Sequence, residues 1–298
     1  MEKIINTIIE NNYELFGKNP KTEKINIGFT NTIYIVNNSY VVKICTNKDN
    51  EVKFLKEIEF YKKNKDNDLI PKLYYYNIDK KEVPYYYEII EKIDGVSLYS
   101  IWHTLDEEER EDIIKQLCTA MKKFHSNIGN NYDWTKTTSD LFIKLYEKSK
   151  LLFNEDEQKL IDKAYSRFSE FLDSNEFVLV HNDLHFDNIF YSNGKIKLID
   201  FERSIYAPRD FELDILYRMI RKPWKFASEE IEQYTKLSDY ENIMTYIEKY
   251  YKELVSNKYL YQRLAIYDMV YFLKQYLNNP QIEELKQDII DSAKIVTN

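Results

Sequence analysis

The 298-residue chain has few cysteines: only Cys45 and Cys118 are present, and they lie far apart. This number and spacing match neither a disulfide framework nor a cysteine-based metal knuckle. We therefore interpret both as ordinary core thiols and expect a reducing compartment.

Long apolar runs are also missing. No run approaches the roughly 20 residues that a membrane-spanning helix needs. The first twelve residues alternate apolar and polar groups with helical spacing, unlike the continuous apolar core of a signal peptide. The sequence therefore predicts a soluble, cytoplasmic protein with no membrane partner.

Clusters of positive charge are absent as well. The chain has 42 basic and 50 acidic residues, a net charge of −8, and its basic residues are interleaved with acidic ones. Nucleic-acid binding depends on clustered lysine and arginine, so we predict no nucleic-acid partner. An acidic surface favours a cationic ligand over an anionic one.

The hydrophobic pattern changes along the chain. Strand-like alternation and one helical pattern dominate the first part, at residues 25–28, 32–36, 40–44, 51–64 (helical), 72–76 and 85–93. Helical spacing dominates after the turn signal at Gly95, at residues 106–126, 139–152, 155–173 and from 210 onward. This predicts an α+β protein with domains at 1–94 and 95–298.

The clearest motif lies in the second domain. His181-Asn182-Asp183 follows an apolar, β-rich run, Asn188 comes five residues after Asp183, and a second apolar run ends at Asp200. Phosphoryl transfer needs a carboxylate that orients a hydroxyl, and an amide and a second carboxylate that hold magnesium on a nucleotide. We predict Asp183 as the catalytic carboxylate and Asn188 and Asp200 as metal ligands. We interpret His181 as a buried residue that shapes the loop.

A second constellation lies in the first domain. Lys43 ends a β-rich run, and Glu57 lies fourteen residues further on inside the predicted helix. A strand lysine reaches nucleotide phosphates when an acidic residue on a facing helix holds its ammonium. We predict the pair Lys43 and Glu57, with Glu51 and Glu59 as rival partners.

The loop before residue 32 occupies the place of a phosphate-covering loop. It has one glycine, so it is not a glycine-rich loop. Backbone N–H groups and hydroxyls there can still meet phosphate, and we predict Thr30 and Asn31 as nucleotide-binding residues.

Together with Ile89-Ile90-Glu91-Lys92-Ile93-Asp94-Gly95, these motifs resemble the aminoglycoside phosphotransferase and choline kinase family, over most of the chain. The resemblance implies a protein-kinase-like bilobal fold, with an antiparallel five-stranded N-lobe sheet, one main helix there, and a mostly helical C-lobe. It implies ATP or GTP as phosphate donor, Mg²⁺ as cofactor, and purine binding by the backbone from Glu91 to Ile93. It also implies that Lys43 contacts the phosphates and that Asp183 is the catalytic base.

The sequence departs from protein kinases at three points, and two of them, Asn182 and the missing activation segment, indicate a small-molecule substrate. Asn182 stands where those kinases have arginine, Glu202 replaces the glycine after Asp-Phe, and no Ala-Pro-Glu activation segment follows. Many family members support the catalytic loop with an Asp-Pro-x-x-Asp motif. Here either Glu212 or Asp214 takes that role.

We predict an enzyme, an O-phosphotransferase, whose acceptor is an aminoglycoside antibiotic. Carboxylates and aromatic rings in the C-terminal helices suit such a polycation, and the candidates are Glu212, Asp214, Trp224 and Glu229. Acidic runs there are equally typical of helix N-termini. Two alternatives stay open: a metabolic kinase for choline, ethanolamine, a sugar or an amino-alcohol, and a non-catalytic kinase-fold binding protein.

Overall fold

The computed structural model describes residues 1–25 and 31–298. Its strands are β1 (Thr22–Ile25), β2 (Thr32–Val36), β3 (Tyr40–Cys45), β4 (Leu73–Asn77), β5 (Tyr86–Glu91), β6 (Val96–Ser97), β7 (Val178–Val180), β8 (Ile189–Ser192), β9 (Lys195–Leu198) and β10 (Ile205–Ala207). Its helices are α1 (Glu2–Asn11), α2 (Tyr13–Phe16), α3 (Glu51–Lys63), α4 (Leu98–Ile101), α5 (Glu107–His125), α6 (Trp134–Ser149), α7 (Glu155–Tyr165), α8 (Phe168–Phe171), α9 (Leu213–Arg221), α10 (Glu229–Glu232), α11 (Ile243–Tyr250), α12 (Leu260–Asn278) and α13 (Glu283–Thr297). Among the helices of these residues, none combines the length and apolar character needed to cross a bilayer.

The residues form two compact units. One contains residues 1–124 and 185–205, and the other contains residues 125–184 and 206–298. The domain boundary predicted at Gly95 stays a prediction.

The first unit is built on a five-stranded antiparallel sheet with the strand order β1-β2-β3-β5-β4. Asn37 and Asn38 close the hairpin between β2 and β3 with positive φ angles of 55° and 54°, which asparagine tolerates better than most residues. Strands β6, β8 and β9 form a separate sheet of the same unit. The predicted five-stranded antiparallel sheet is confirmed.

Helices pack on this five-stranded sheet through two clusters of apolar side chains. Ile5 and Ile8 of α1 pack in one cluster with Val42 and Ile89 of the sheet. On α3, Phe54 and Ile58 form a second cluster with Cys45. Helix α3 is thereby held against β3, the strand that carries Lys43.

The second unit is mostly helical, as expected, with α12 packed against α6, α9 and α13. Arg263 of α12 is fully buried, and its guanidinium binds both carboxylate oxygens of Asp210 at 2.8 and 2.9 Å. A buried charge needs such a partner. This pair therefore anchors the segment just before α9. The helix predicted over 155–173 is instead two helices, α7 and α8.

Candidate active site

Lys43 and Glu57 form a buried ion pair. The Lys43 Nζ lies 2.5 Å from the Glu57 Oε2, and the two residues are 9% and 0% exposed. The rival partners bind other lysines: Glu51 lies 2.6 Å from the Nζ of Lys80, and Glu59 lies 3.3 Å from that of Lys62. The predicted pair is therefore the one that the fold brings together.

A third ionisable residue, Glu88 of β5, lies beside this pair and was not predicted. Glu88 is the cross-strand partner of Lys43, and its Oε1 lies 3.9 Å from the Lys43 Nζ. It is fully buried, and neither of its carboxyl oxygens has a hydrogen-bond partner in the described part of the chain. Burial, followed by the nearby Glu57 carboxylate, raises the pKa of Glu88 well above its ordinary value.

The Lys43 ammonium keeps its charge in this environment. Burial alone would lower its pKa, but the carboxyl groups of Glu57, Glu88 and Asp200 together raise it above the ordinary lysine value. Lys43 therefore presents a permanent positive charge.

Aromatic packing fastens helix α3 to the segment that carries Asp200. The Phe60 ring of α3 stacks on the Phe201 ring, and the neighbouring Tyr61 ring meets Phe201 edge-on at 5.4 Å between centroids. Asp200 itself has a φ of 66°, a left-handed backbone that aspartate tolerates better than most residues. This turn redirects the chain at the end of β9.

Asn188 and Asp200, the predicted metal ligands, lie on connected segments of the first unit. The Ile199 N–H, next to Asp200, donates to the Asn188 carbonyl at 3.0 Å. The Asn188 side-chain amide lies 3.2 Å from the Nε2 of His185, and Asn188 is only 7% exposed. A main-chain hydrogen bond thus joins Asn188 to Ile199, the residue just before Asp200.

A cavity of about 580 Å³ in the first unit contains much of this constellation. Its volume lies within the usual range for small-ligand sites. Its charged and polar lining residues are Asn31, Lys43, Glu57, Tyr61, Glu91, Lys92, Asp200 and Glu202. Its other lining residues are mainly aliphatic, among them Ile25, Ile33, Ile35, Val41, Ile90, Ile93 and Ile199. Such a mixture suits a ligand with a flat apolar part and an anionic part.

The predicted hinge is held on both sides of its backbone. The Glu91 N–H donates to the Lys72 carbonyl at 2.8 Å, and the Lys92 N–H donates to the Ser39 carbonyl at 2.9 Å. The Glu91 carboxylate binds the Lys197 Nζ, 2.6 Å from each oxygen. Ile93 lines the cavity. Thr30, the remaining predicted nucleotide-binding residue, lies outside the described residues.

The loop that carries Asp183 belongs to the second unit. The chain leaves β7 and turns at Asn182, whose φ is 60°. The His181 N–H just before it donates to the Glu212 Oε2 at 2.9 Å, and both residues are buried. Glu212 therefore fixes the start of the loop that presents Asp183.

Glu212 is held by two residues that the sequence did not reveal. The same Glu212 Oε2 lies 2.9 Å from the His125 Nε2, and the His125 Nδ1 lies 2.9 Å from the Tyr251 hydroxyl. Asp214 makes different contacts: its carboxylate binds the guanidinium of Arg218 at 2.5 and 2.6 Å. Of the two candidates, Glu212 is the one that contacts the loop.

The predicted substrate residues differ in exposure. Glu212 is 2% exposed, which favours the supporting role over contact with a substrate. Asp214 is partly buried against Arg218. Trp224 is 40% exposed, and Glu229 is exposed at the start of α10.

Comparison with known proteins identifies the family and the fold. Residues 21–244 match the model of the phosphotransferase enzyme family. The fold is similar to that of aminoglycoside phosphotransferase APH(2'')-Ib with bound ADP (18% identity, 98% of this chain and 97% of that one, TM-score 0.67). It is equally similar to APH(2'')-IIa in a ternary complex with streptomycin and ATP (18% identity, 98% of both chains, TM-score 0.67).

A third similar structure is APH(4)-Ia, a thermostable mutant in complex with AMP-PNP and hygromycin B (17% identity, 97% of this chain and 98% of that one, TM-score 0.62). No curated protein matches the sequence. The predicted kinase-like fold and the predicted phosphotransferase with an alcohol acceptor are confirmed. Because the family model matches well over half of the chain, the chain belongs to the phosphotransferase enzyme family.

Proposed function

We propose that this small-molecule kinase transfers the γ-phosphate of ATP or GTP to a hydroxyl of an aminoglycoside. The observation that carries the proposal is the buried ion pair of Lys43 and Glu57, which lines the cavity of about 580 Å³ that Asp200 also lines. A fixed ammonium beside a carboxylate is what the phosphates of a nucleotide and their metal need.

The nucleotide occupies this cavity. Lys43 binds the α- and β-phosphates, because Glu57 holds the ammonium in place and its charge is permanent. The aliphatic walls pack on the purine, and the backbone from Glu91 to Ile93 binds its edge. Similar structures with ADP, ATP or AMP-PNP support a nucleoside triphosphate as donor.

Asn188 and Asp200 would hold Mg²⁺. The donor set fits, since Mg²⁺ prefers oxygen ligands and usually completes its coordination with substrate phosphates and water. The described residues contain no cluster of three or more histidine, cysteine, aspartate or glutamate side chains suited to a metal. When bound, Mg²⁺ would neutralise charge on the nucleotide phosphates.

Asp183 acts on the acceptor. Its carboxylate orients the attacking hydroxyl and accepts its proton. The hydrogen bond from the His181 N–H to Glu212 keeps this loop in one conformation, which reduces the entropy lost on reaching the reactive geometry.

The acceptor is cationic and hydroxylated. Similar structures contain streptomycin, gentamicin or hygromycin B, and the net charge of −8 favours a polycation. In the second unit, Trp224 offers an exposed ring face and Glu229 an exposed carboxylate. We propose both as substrate contacts, and we assign Asp214 a weaker contribution because Arg218 already binds it.

The proposal is tested by incubating the purified chain with MgATP or MgGTP and a panel of aminoglycosides. Acceptor-dependent release of nucleoside diphosphate is expected with at least one aminoglycoside, and Asp183→Asn should abolish most of it. Turnover only with choline, ethanolamine, a sugar or an amino-alcohol would replace the proposed acceptor class. Nucleotide binding without turnover on any acceptor would indicate a binding protein.

A further inference from the structure

Glu88 introduces a second carboxyl group next to Lys43, the lysine that lines the cavity and is paired with Glu57. Its Oε1 lies 3.9 Å from the Lys43 Nζ on the side of β5, whereas Glu57 approaches from α3. Glu88 does not line the cavity, so it stands behind Lys43 and has no direct contact with a ligand there.

The charges around Lys43 do not balance if Glu57 and Glu88 are both ionised. One buried ammonium would face the carboxylates of Glu57 and Glu88, and neither oxygen of Glu88 accepts a hydrogen bond from the described residues. An ionised buried carboxylate without hydrogen bonds is costly, and such a group usually takes up a proton instead. The geometry therefore favours an uncharged Glu88.

We propose that Glu88 is a positioning residue of the nucleotide site, which confines the Lys43 ammonium from the strand side as an uncharged acid. The inference rests on the proposed nucleotide site. An uncharged carboxyl group keeps a polar neighbour next to Lys43 without competing with the phosphates for its charge. A leucine in this place would remove the polar neighbour on the strand side and leave only Glu57 to position the ammonium, and an ionised glutamate would draw the ammonium away from the phosphates.

The charged and titratable groups around Glu88 determine how readily it ionises as the pH rises. Lys43 faces it from β3, Glu57 and Tyr61 from α3, and Tyr76 is its cross-strand neighbour on β4. Asp200 adds a further negative charge. Nucleotide phosphates add more, so binding favours the protonated form of Glu88. Nucleotide affinity should therefore fall as rising pH ionises Glu88.

The test compares the wild-type chain with Glu88→Gln, which is close in shape to the uncharged acid, and with Glu88→Leu, which has no polar group. The control is Glu59→Gln, a change at a half-exposed acid on the outer side of α3. The dissociation constant of MgATP and of MgGTP is measured by calorimetry from about pH 6 to about pH 9, and circular dichroism confirms that each variant folds.

We expect Glu88→Gln to match the wild type within about twofold where Glu88 is protonated, and to bind more tightly, by up to about tenfold, as rising pH ionises Glu88. Glu88→Leu should bind about tenfold more weakly than Glu88→Gln at every pH. Binding by Glu88→Gln that is tighter than wild-type binding by the same factor at every pH would mean that Glu88 is ionised throughout. That result, or equal affinity of the glutamine and leucine variants, would overturn the inference while leaving the proposed function intact. A wild-type chain that binds neither nucleotide would overturn both.

Discussion

The ring of Phe60 stacks on the ring of Phe201, with centroids 4.0 Å apart and planes at 11°. Phe60 lies one turn from Glu57 on α3, and Phe201 follows Asp200 directly. One aromatic contact therefore couples the helix that orients Lys43 to the residue proposed to hold the metal.

Replacing Phe201 with alanine should both destabilise the protein and weaken nucleotide binding. The ring is fully buried, so its removal should lower the free energy of unfolding by about 3–5 kcal/mol. Urea denaturation and nucleotide titration measure the two effects. Tyr13→Ala, at a mostly exposed tyrosine of the same unit, is the control and should change neither by much. Unchanged nucleotide affinity in folded Phe201→Ala would argue against the coupling.

Glu57→Gln should weaken nucleotide binding more than tenfold while leaving a folded protein. The substitution removes the carboxylate that lies 2.5 Å from the Lys43 Nζ, so the ammonium loses its fixed position. The loss corresponds to about 2 kcal/mol or more, as expected for a buried charged pair. Titration with MgATP and MgGTP is the measurement. Glu51→Gln, which removes an acid paired with Lys80 instead, is the matched control.

Glu212→Ala should lower turnover with little change in nucleotide affinity. The change leaves the buried His181 N–H without its acceptor, which costs about 1–3 kcal/mol and frees the loop that carries Asp183. Glu212→Gln retains an acceptor oxygen and should recover much of the rate. Steady-state kinetics measure kcat and the KM for nucleotide separately. A fall in nucleotide affinity equal to the fall in kcat would contradict a role confined to the loop.

The stability of the protein should depend on pH through Glu88. Its pKa is raised in the folded chain above the value of about 4.3 for an unfolded glutamate. The folded state therefore keeps a proton that the unfolded state releases. The stabilising contribution is complete below the unfolded pKa, and it is lost as pH rises from there towards the folded pKa.

The measurement is chemical denaturation of wild type and Glu88→Gln between about pH 4 and about pH 8. Glu88→Gln should gain stability relative to wild type by up to about 1.4 kcal/mol per pH unit within this window. Parallel stability curves for the two proteins would show that Glu88 titrates normally.

The sequence predicted the parts of the site whose spacing is local. Hydrophobic periodicity indicates both the strand that carries Lys43 and the next helix, which carries Glu57, so the two residues can be paired. The second apolar run likewise locates Asp200 at its end. Glu88 was missed, because its position opposite Lys43 depends on the register of two strands that are not adjacent in sequence. Periodicity alone does not encode that register.

Long-range contacts explain the other omissions. His125 and Tyr251 lie 126 residues apart and still meet through a hydrogen bond, so no local pattern could reveal them. Glu212 and Asp214 could not be ranked from the sequence, since both acids belong to one short segment. Only the packing of that segment distinguishes the residue that binds the His181 N–H from the one that binds Arg218.

The most direct test of the account is mass spectrometry of an aminoglycoside after incubation with the purified chain and MgATP or MgGTP. We expect the acceptor to gain the mass of one phosphoryl group in the presence of wild type and to remain unmodified with Asp183→Asn, which should still bind nucleotide. Equal phosphorylation by Asp183→Asn, or no phosphorylation of any aminoglycoside by a wild-type chain that binds nucleotide, would contradict it.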